Sequence, residues 1–246
     1  MVESEFEVEE GLIEFNMPTF HVRLHADSKQ AFLRLFKRLD LMGLIPTLRR
    51  REDKNVLQIF PKPPIKPSRN TTNLALFLAT VATTFVTGYV LSIGWAGGGI
   101  PNSLVGAVMF TAAIMAIFGM HEMAHKLTAR RHAIEASYPY FIPGPPAPFG
   151  IGTFGAVIQQ KSLAPNKDAL FDLGISGPII GFLVTVLVAI VGVQMSYYTV
   201  VDKIPPGTTQ MSLLLEFLFV TLQRPPSNPS GYIILWMHPV GVAGWV

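Results

Sequence analysis

The sequence predicts a mainly α, polytopic helical membrane protein with a small N-terminal α+β cap, and three observations carry that prediction. First, of 246 residues 50% are hydrophobic and only 14% charged, with a mean hydropathy of +0.40, whereas about a quarter of a soluble domain is charged. Second, neither Asn70–Met120 nor Leu173–Val201 contains an Asp, Glu, Lys or Arg, and uncharged runs of that length read as membrane-spanning helices. Third, Arg49, Arg50, Arg51, Lys54, Lys62, Lys66 and Arg69 crowd the approach to the first run, the pattern of a cytoplasmic flank.

Composition also excludes several classes. The net charge of +3, from 19 basic and 16 acidic residues, is too small an excess to argue for nucleic acid as a partner. With no cysteine, disulfides and thiolate metal sites are out of reach. The first segment is acidic, with Glu3, Glu5, Glu7, Glu9, Glu10 and Glu14, and lacks the apolar core of a signal peptide.

In chain order, residues 1–60 read as the cap. Ile13, Phe15 and Met17 alternate with polar residues, as do Phe20, Val22 and Leu24, so both stretches are expected to be strands. Asp27 or Ser28 caps a helix whose stripe of Ala31, Phe32, Leu35, Phe36 and Leu39 should end near Gly43. Leu44–Arg51 and Val56–Phe60 then form two strands about a polar turn. His21 and His25 are read as ordinary domain histidines. Residues 61–72 are a basic linker stiffened by Pro61, Pro63, Pro64 and Pro67.

Residues 73–246 form the membrane core, with spans expected at about 73–96, 102–131 and 173–195 and an incomplete one from 231. Gly97 to Pro101 is the short outer turn of a helical hairpin. Thr80, Thr83, Thr84 and Thr87 share one face of the first span, where helix packing is favoured over a polar pathway. Residues 132–171, with Pro143, Pro145, Pro146 and Pro148 followed by Gly150, Gly152 and Gly155, are neither a continuous helix nor an ordinary loop. Met211–Leu222 is too short and too charged to be a span.

The chemistry concentrates in His121-Glu122-Met123-Ala124-His125. Residues four apart share a helix face, so the two imidazoles can ligate one metal ion while Glu122, on the adjoining arc, reaches a water on that ion. Two imidazoles and a carboxylate in an apolar helix are costly unless they face a protein interior or a wet cavity and have a function. A structural polar cluster near a helix end is the bland alternative.

With Gly152-Thr153-Phe154-Gly155-Ala156-Val157-Ile158 and then Phe171-Asp172-Leu173-Gly174-Ile175-Ser176-Gly177-Pro178 following the motif, residues 70 to 246 resemble the site-2 protease family of intramembrane zinc metalloproteases. The resemblance is strongest to archaeal, bacterial and plastid members with a soluble N-terminal extension. It implies hydrolysis of peptide bonds in membrane-spanning substrates, Zn2+ held by His121 and His125, and Glu122 as general base. It also implies an edge strand spanning Gly152, Thr153, Phe154, Gly155, Ala156, Val157 and Ile158 that captures substrate, with an ordinary re-entrant loop as the alternative. The family's third ligand is an aspartate of a later helix. Asp168, Asp172 and Asp202 lack its surroundings, so that ligand is expected beyond Val246 and the fragment itself is expected to be inactive.

The expected setting is the lipid bilayer of a cell membrane, with the N-terminus cytoplasmic, or of a plastid in a plant. One rival function is a non-proteolytic relative acting as membrane chaperone or scaffold. A transporter is the other, although the internal repeats it should show are absent from the sequence.

Overall fold

The acidic first segment becomes the edge of a sheet. In the computed structural model, which describes residues 1–64, 70–94, 102–204, 212–223 and 231–245, the chain divides into two units, Met1–Lys66 and Pro67–Val246. In the first, β1 (Glu7–Glu14), β2 (Met17–Arg23), β3 (Leu44–Arg51) and β4 (Lys54–Pro61) form an antiparallel sheet in the order β1-β2-β4-β3. The strand expected across Ile13 to Met17 is interrupted. Phe15 and Asn16 take φ of 52° and 63°, so they are the tip of a two-residue hairpin, whose twist matches that of the flanking strands.

α1 (Ser28–Asp40) crosses from β2 to β3 and ends before Gly43, at φ 70°. Its buried stripe, Ala31, Leu35 and Leu39, packs on Val22, Leu57 and Phe6. His21 lies on the sheet with Nδ1 2.9 Å from Glu10 Oε2, a surface pairing. Lys62 stays tied to this unit through Asp40 at 2.6 Å and through the carbonyl of Gly43. Of the expected linker, residues 65–69 lie outside the described residues, as do the Gly97 to Pro101 turn and Met211, and residues 70–72 already belong to the first long helix.

Among the described residues, the second unit has three helices long and apolar enough to cross a membrane: α2 (Asn70–Ile93), α3 (Ser103–Arg131) and α4 (Lys167–Met195). Their burial is inverted relative to a soluble bundle. Thr80, Thr84, Thr87, Gly177 and Gly181 face inward, while Phe182, Leu183, Leu187 and Val191 of α4 are exposed. Small residues let helix axes come close where hydrocarbon offers no hydrophobic drive for association. At Gly88, near the end of α2, a Cβ would stand 2.9 Å from the Ala107 backbone near the start of α3. Asn73, near the start of α2, donates to the Tyr138 carbonyl beyond the end of α3. These two helices are therefore antiparallel.

α4 begins earlier than the uncharged run that marks it in the sequence. Asn166 accepts the backbone N–H of Ala169 at 2.7 Å, and this cap starts the helix well before Leu173. Between α3 and α4 lies a hairpin of β5 (Tyr140–Pro143) and β6 (Thr153–Val157).

After α4, β7 (Tyr197–Val201) pairs with β8 (Tyr232–Trp236), and the ten-residue α5 (Leu213–Leu222) packs Leu215, Leu218 and Phe219 on Ala189 and Val193. The segment expected to be helical from residue 231 thus opens as a strand. Its aromatic and β-branched residues suit pairing with β7, and helix starts only at Pro239, as α6 (Pro239–Trp245).

Leu35 is fully buried in the cap. Leu35→Ala should destabilise residues 1–66, expressed alone, by about 2–5 kcal/mol in urea unfolding.

Candidate active site

His121, Glu122 and His125 occupy successive arcs of α3, five turns or more from its start, and their ligating atoms lie within 4.8 Å of one another. The two histidines turn the same ring atom inward, Nε2 to Nε2 at 3.2 Å. His125 Nδ1 sits 2.6 Å from the Leu173 carbonyl of α4. A carbonyl only accepts, so Nδ1 carries the proton, and Nε2 presents its lone pair to the cluster. Zinc–nitrogen bonds of about 2.0–2.1 Å at a tetrahedral angle hold two nitrogens about 3.3 Å apart. The observed separation and the forced tautomer both fit a divalent ion held by His121 and His125.

Close approach of α4 makes this possible. A Cβ at Gly177 would fall 2.1 Å from His125 Nε2, and one at Gly181 would fall 2.8 Å from His121 Nδ1. These two glycines, four apart, face two histidines four apart on an antiparallel helix. In the sequence, Gly177 stands only as part of the Gly174-Ile175-Ser176-Gly177-Pro178 stretch. Its direct contact with the ring nitrogen follows from the register between α3 and α4, which spacing within either helix alone does not reveal.

Glu122 is buried, with its carboxylate 3.9 Å from His121 Nε2. It lies at the wall of an open cleft of about 350 Å³ that His125, Val157, Ile158, Leu170 and Gly174 also line. Asp172 is not part of the cluster. It pairs with His132 Nε2 at 2.9 Å, joining the end of α3 to the first turns of α4.

The residues expected to form the capturing edge divide into three kinds. Thr153 to Val157 are β6. Among the described residues β6 pairs with β5 alone, so its other edge is open. Phe154 and Val157 are exposed there, while Gly155, at φ 102°, rests on Phe118 of α3 one turn before the motif. Gly152 is a turn residue at φ 88° held against α2. Ile158 lies past the strand and lines the same cleft as Glu122.

A helix-borne pair of imidazoles thus lies beside a buried carboxylate, at a cleft that Val157 and Ile158 also line. Residues 109–245, more than half of the chain, match peptidase family M50, and the protein belongs to this family, that of the site-2 proteases. Among its curated relatives, "Probable zinc metalloprotease EGY1, chloroplastic" of Oryza sativa subsp. japonica is 33% identical over 137 residues, 54% of this chain and 22% of that protein. The Arabidopsis thaliana protein of the same name is 31% identical over 146 residues, 56% of this chain and 25% of that one. "Probable zinc metalloprotease EGY2, chloroplastic" of Oryza sativa subsp. japonica is 35% identical over 77 residues, 31% of this chain and 13% of the relative. The chain thus spans a quarter or less of the length of these relatives. No solved structure matches it.

Gly177→Ala should lower zinc affinity by about 10–100-fold in a competition titration, since it displaces the His125 ring. Gly174→Ala, where a Cβ meets nothing within 4 Å, should leave that affinity unchanged.

Proposed function

We propose that the protein is the core of an intramembrane zinc metalloprotease that hydrolyses peptide bonds of membrane-spanning substrates. The observation that carries this reading is the convergence of the two Nε2 atoms, with the Glu122 carboxylate beside them, on a helix apolar enough to cross a bilayer. His121 and His125 would hold the metal. Bound zinc supplies a Lewis acid that polarises the scissile carbonyl and acidifies water.

The chain's own groups do the rest. A transmembrane helix hides its peptide bonds within its own hydrogen bonds, so the substrate must unwind locally. The open edge of β6 offers a place to hold it extended by strand addition. Glu122, which lines one cleft with Ile158, takes a proton from the attacking water as the new C–O bond forms. It then gives that proton to the leaving nitrogen as the C–N bond breaks.

Catalytic zinc sites ordinarily take three protein ligands. His121 and His125 would supply two of them. α6 packs antiparallel to α4, with Gly241 against Gly192 and Gly244 against Ala189.

The membrane setting is supported by the inward threonines and glycines and the outward leucines of the long helices. The chloroplast names of the relatives support a plastid membrane. Basic residues at the end of α3, Arg130 and Arg131, and those preceding α2 favour the side on which the chain begins as the cytoplasmic or stromal one. A reporter fused after Arg131 should therefore read on that side, and one fused between α2 and α3 on the opposite side.

The central test uses the full-length protein, with metal content and cleavage of a helical membrane substrate measured together. His121→Ala should lose both. Glu122→Gln should keep the metal yet lose about 10²–10⁴-fold in rate. Undiminished cleavage by Glu122→Gln would remove Glu122 from the mechanism.

A further inference from the structure

Thr83 and Thr87, one turn apart on α2, turn their hydroxyls away from helix packing and toward the loop between β5 and β6. Thr83 has one hydroxyl proton. Its nearest acceptor is the Gly152 carbonyl at 2.5 Å, ahead of the carbonyls of Ala79 at 3.0 Å and Thr80 at 3.1 Å in its own helix. Thr87 Oγ1 accepts the backbone N–H of Ala147 at 3.1 Å and donates to the Thr83 carbonyl at 3.3 Å. By contrast, Thr84 and Thr111 return their hydroxyls to carbonyls of their own helices, at 2.7 Å and 2.8 Å.

The loop needs outside partners. Pro143, Pro145, Pro146 and Pro148 have no N–H, so it has few internal donors to build with. Besides a turn in which the Phe149 N–H bonds the Pro146 carbonyl at 3.0 Å, its backbone bonds involve Gly152, whose N–H bonds the Pro145 carbonyl and whose carbonyl also accepts from Gly144 at 3.0 Å. Gly152 in turn is pressed on α2 so closely that a Cβ would stand 2.6 Å from the Thr83 backbone. The next residue, Thr153, opens β6. Any shift at Gly152 therefore passes directly into the strand that leads to Ile158 and Glu122.

We infer that Thr83 and Thr87 are positioning residues, which fix the β6 edge relative to Glu122 and the two histidines by clamping the loop at Gly152 and Ala147. The kinetic consequence rests on the proteolytic reading above. The geometric consequence does not.

The experiment compares full-length wild type with Thr83→Val, Thr83→Ser, Thr87→Val and Thr111→Val in lipid vesicles, by hydrogen exchange of the Thr153–Val157 amides and by cleavage kinetics. Thr83→Val should speed exchange in β6 and raise KM by up to about tenfold, as expected for one lost hydrogen bond, with kcat and zinc content little changed. Thr83→Ser should restore both quantities, Thr87→Val should act in the same direction as Thr83→Val, and Thr111→Val should alter neither. Unchanged β6 exchange in both Thr83→Val and Thr87→Val would overturn the inference, as would a serine variant as impaired as the valine one. If wild type cleaves nothing, the proteolytic reading falls while the exchange comparison still decides the clamp.

Discussion

The structure depends on how near α4 comes to the face of α3 that carries the two histidines. Glycine at 177 and 181 removes the side chains that would otherwise hold the helices apart, and the vacated space is filled by imidazole. That proximity puts the Leu173 carbonyl on His125 Nδ1, which fixes the tautomer and aims the other nitrogen. Imidazole orientation is thus an outcome of helix packing, and the partners that set it are a backbone carbonyl and two absent side chains.

A second constraint acts on the hairpin between these helices. Backbone polar groups packed away from water must find partners within the protein. Here α2 meets part of that demand through Asn73, Thr83 and Thr87, which reach the carbonyls or N–H groups of Tyr138, Gly152 and Ala147. The threonines whose spacing suggests helix packing therefore divide their work. Thr84 serves its own helix, while Thr83 and Thr87 serve the hairpin.

Features set by local period or composition are legible in the sequence. The uncharged runs mark α2, α3 and α4, and HExxH on an apolar helix marks the imidazole pair, because both patterns are internal to one element. Features set by contacts between elements are less so. The turn at Phe15 and Asn16 breaks an alternation that reads as continuous, since hydrophobicity carries no sign of positive φ. The strand at Tyr232–Trp236 is hidden in a segment apolar enough for a helix, because its partner lies more than thirty residues earlier, at Tyr197–Val201. Likewise the start of α4 is decided by the Asn166 cap and not by where the charges stop.

The contact between Gly177 and His125 bears on how degenerate members of such a family are to be recognised. Catalytic decay is usually diagnosed from lost ligands, yet here a single methyl group on the neighbouring helix would displace an intact histidine. A gene copy could drift at position 177 or 181, retain HExxH letter for letter, and no longer hold its ring nitrogens in place. For these chains, the glycines opposite the motif are as informative a marker of a working site as the motif itself.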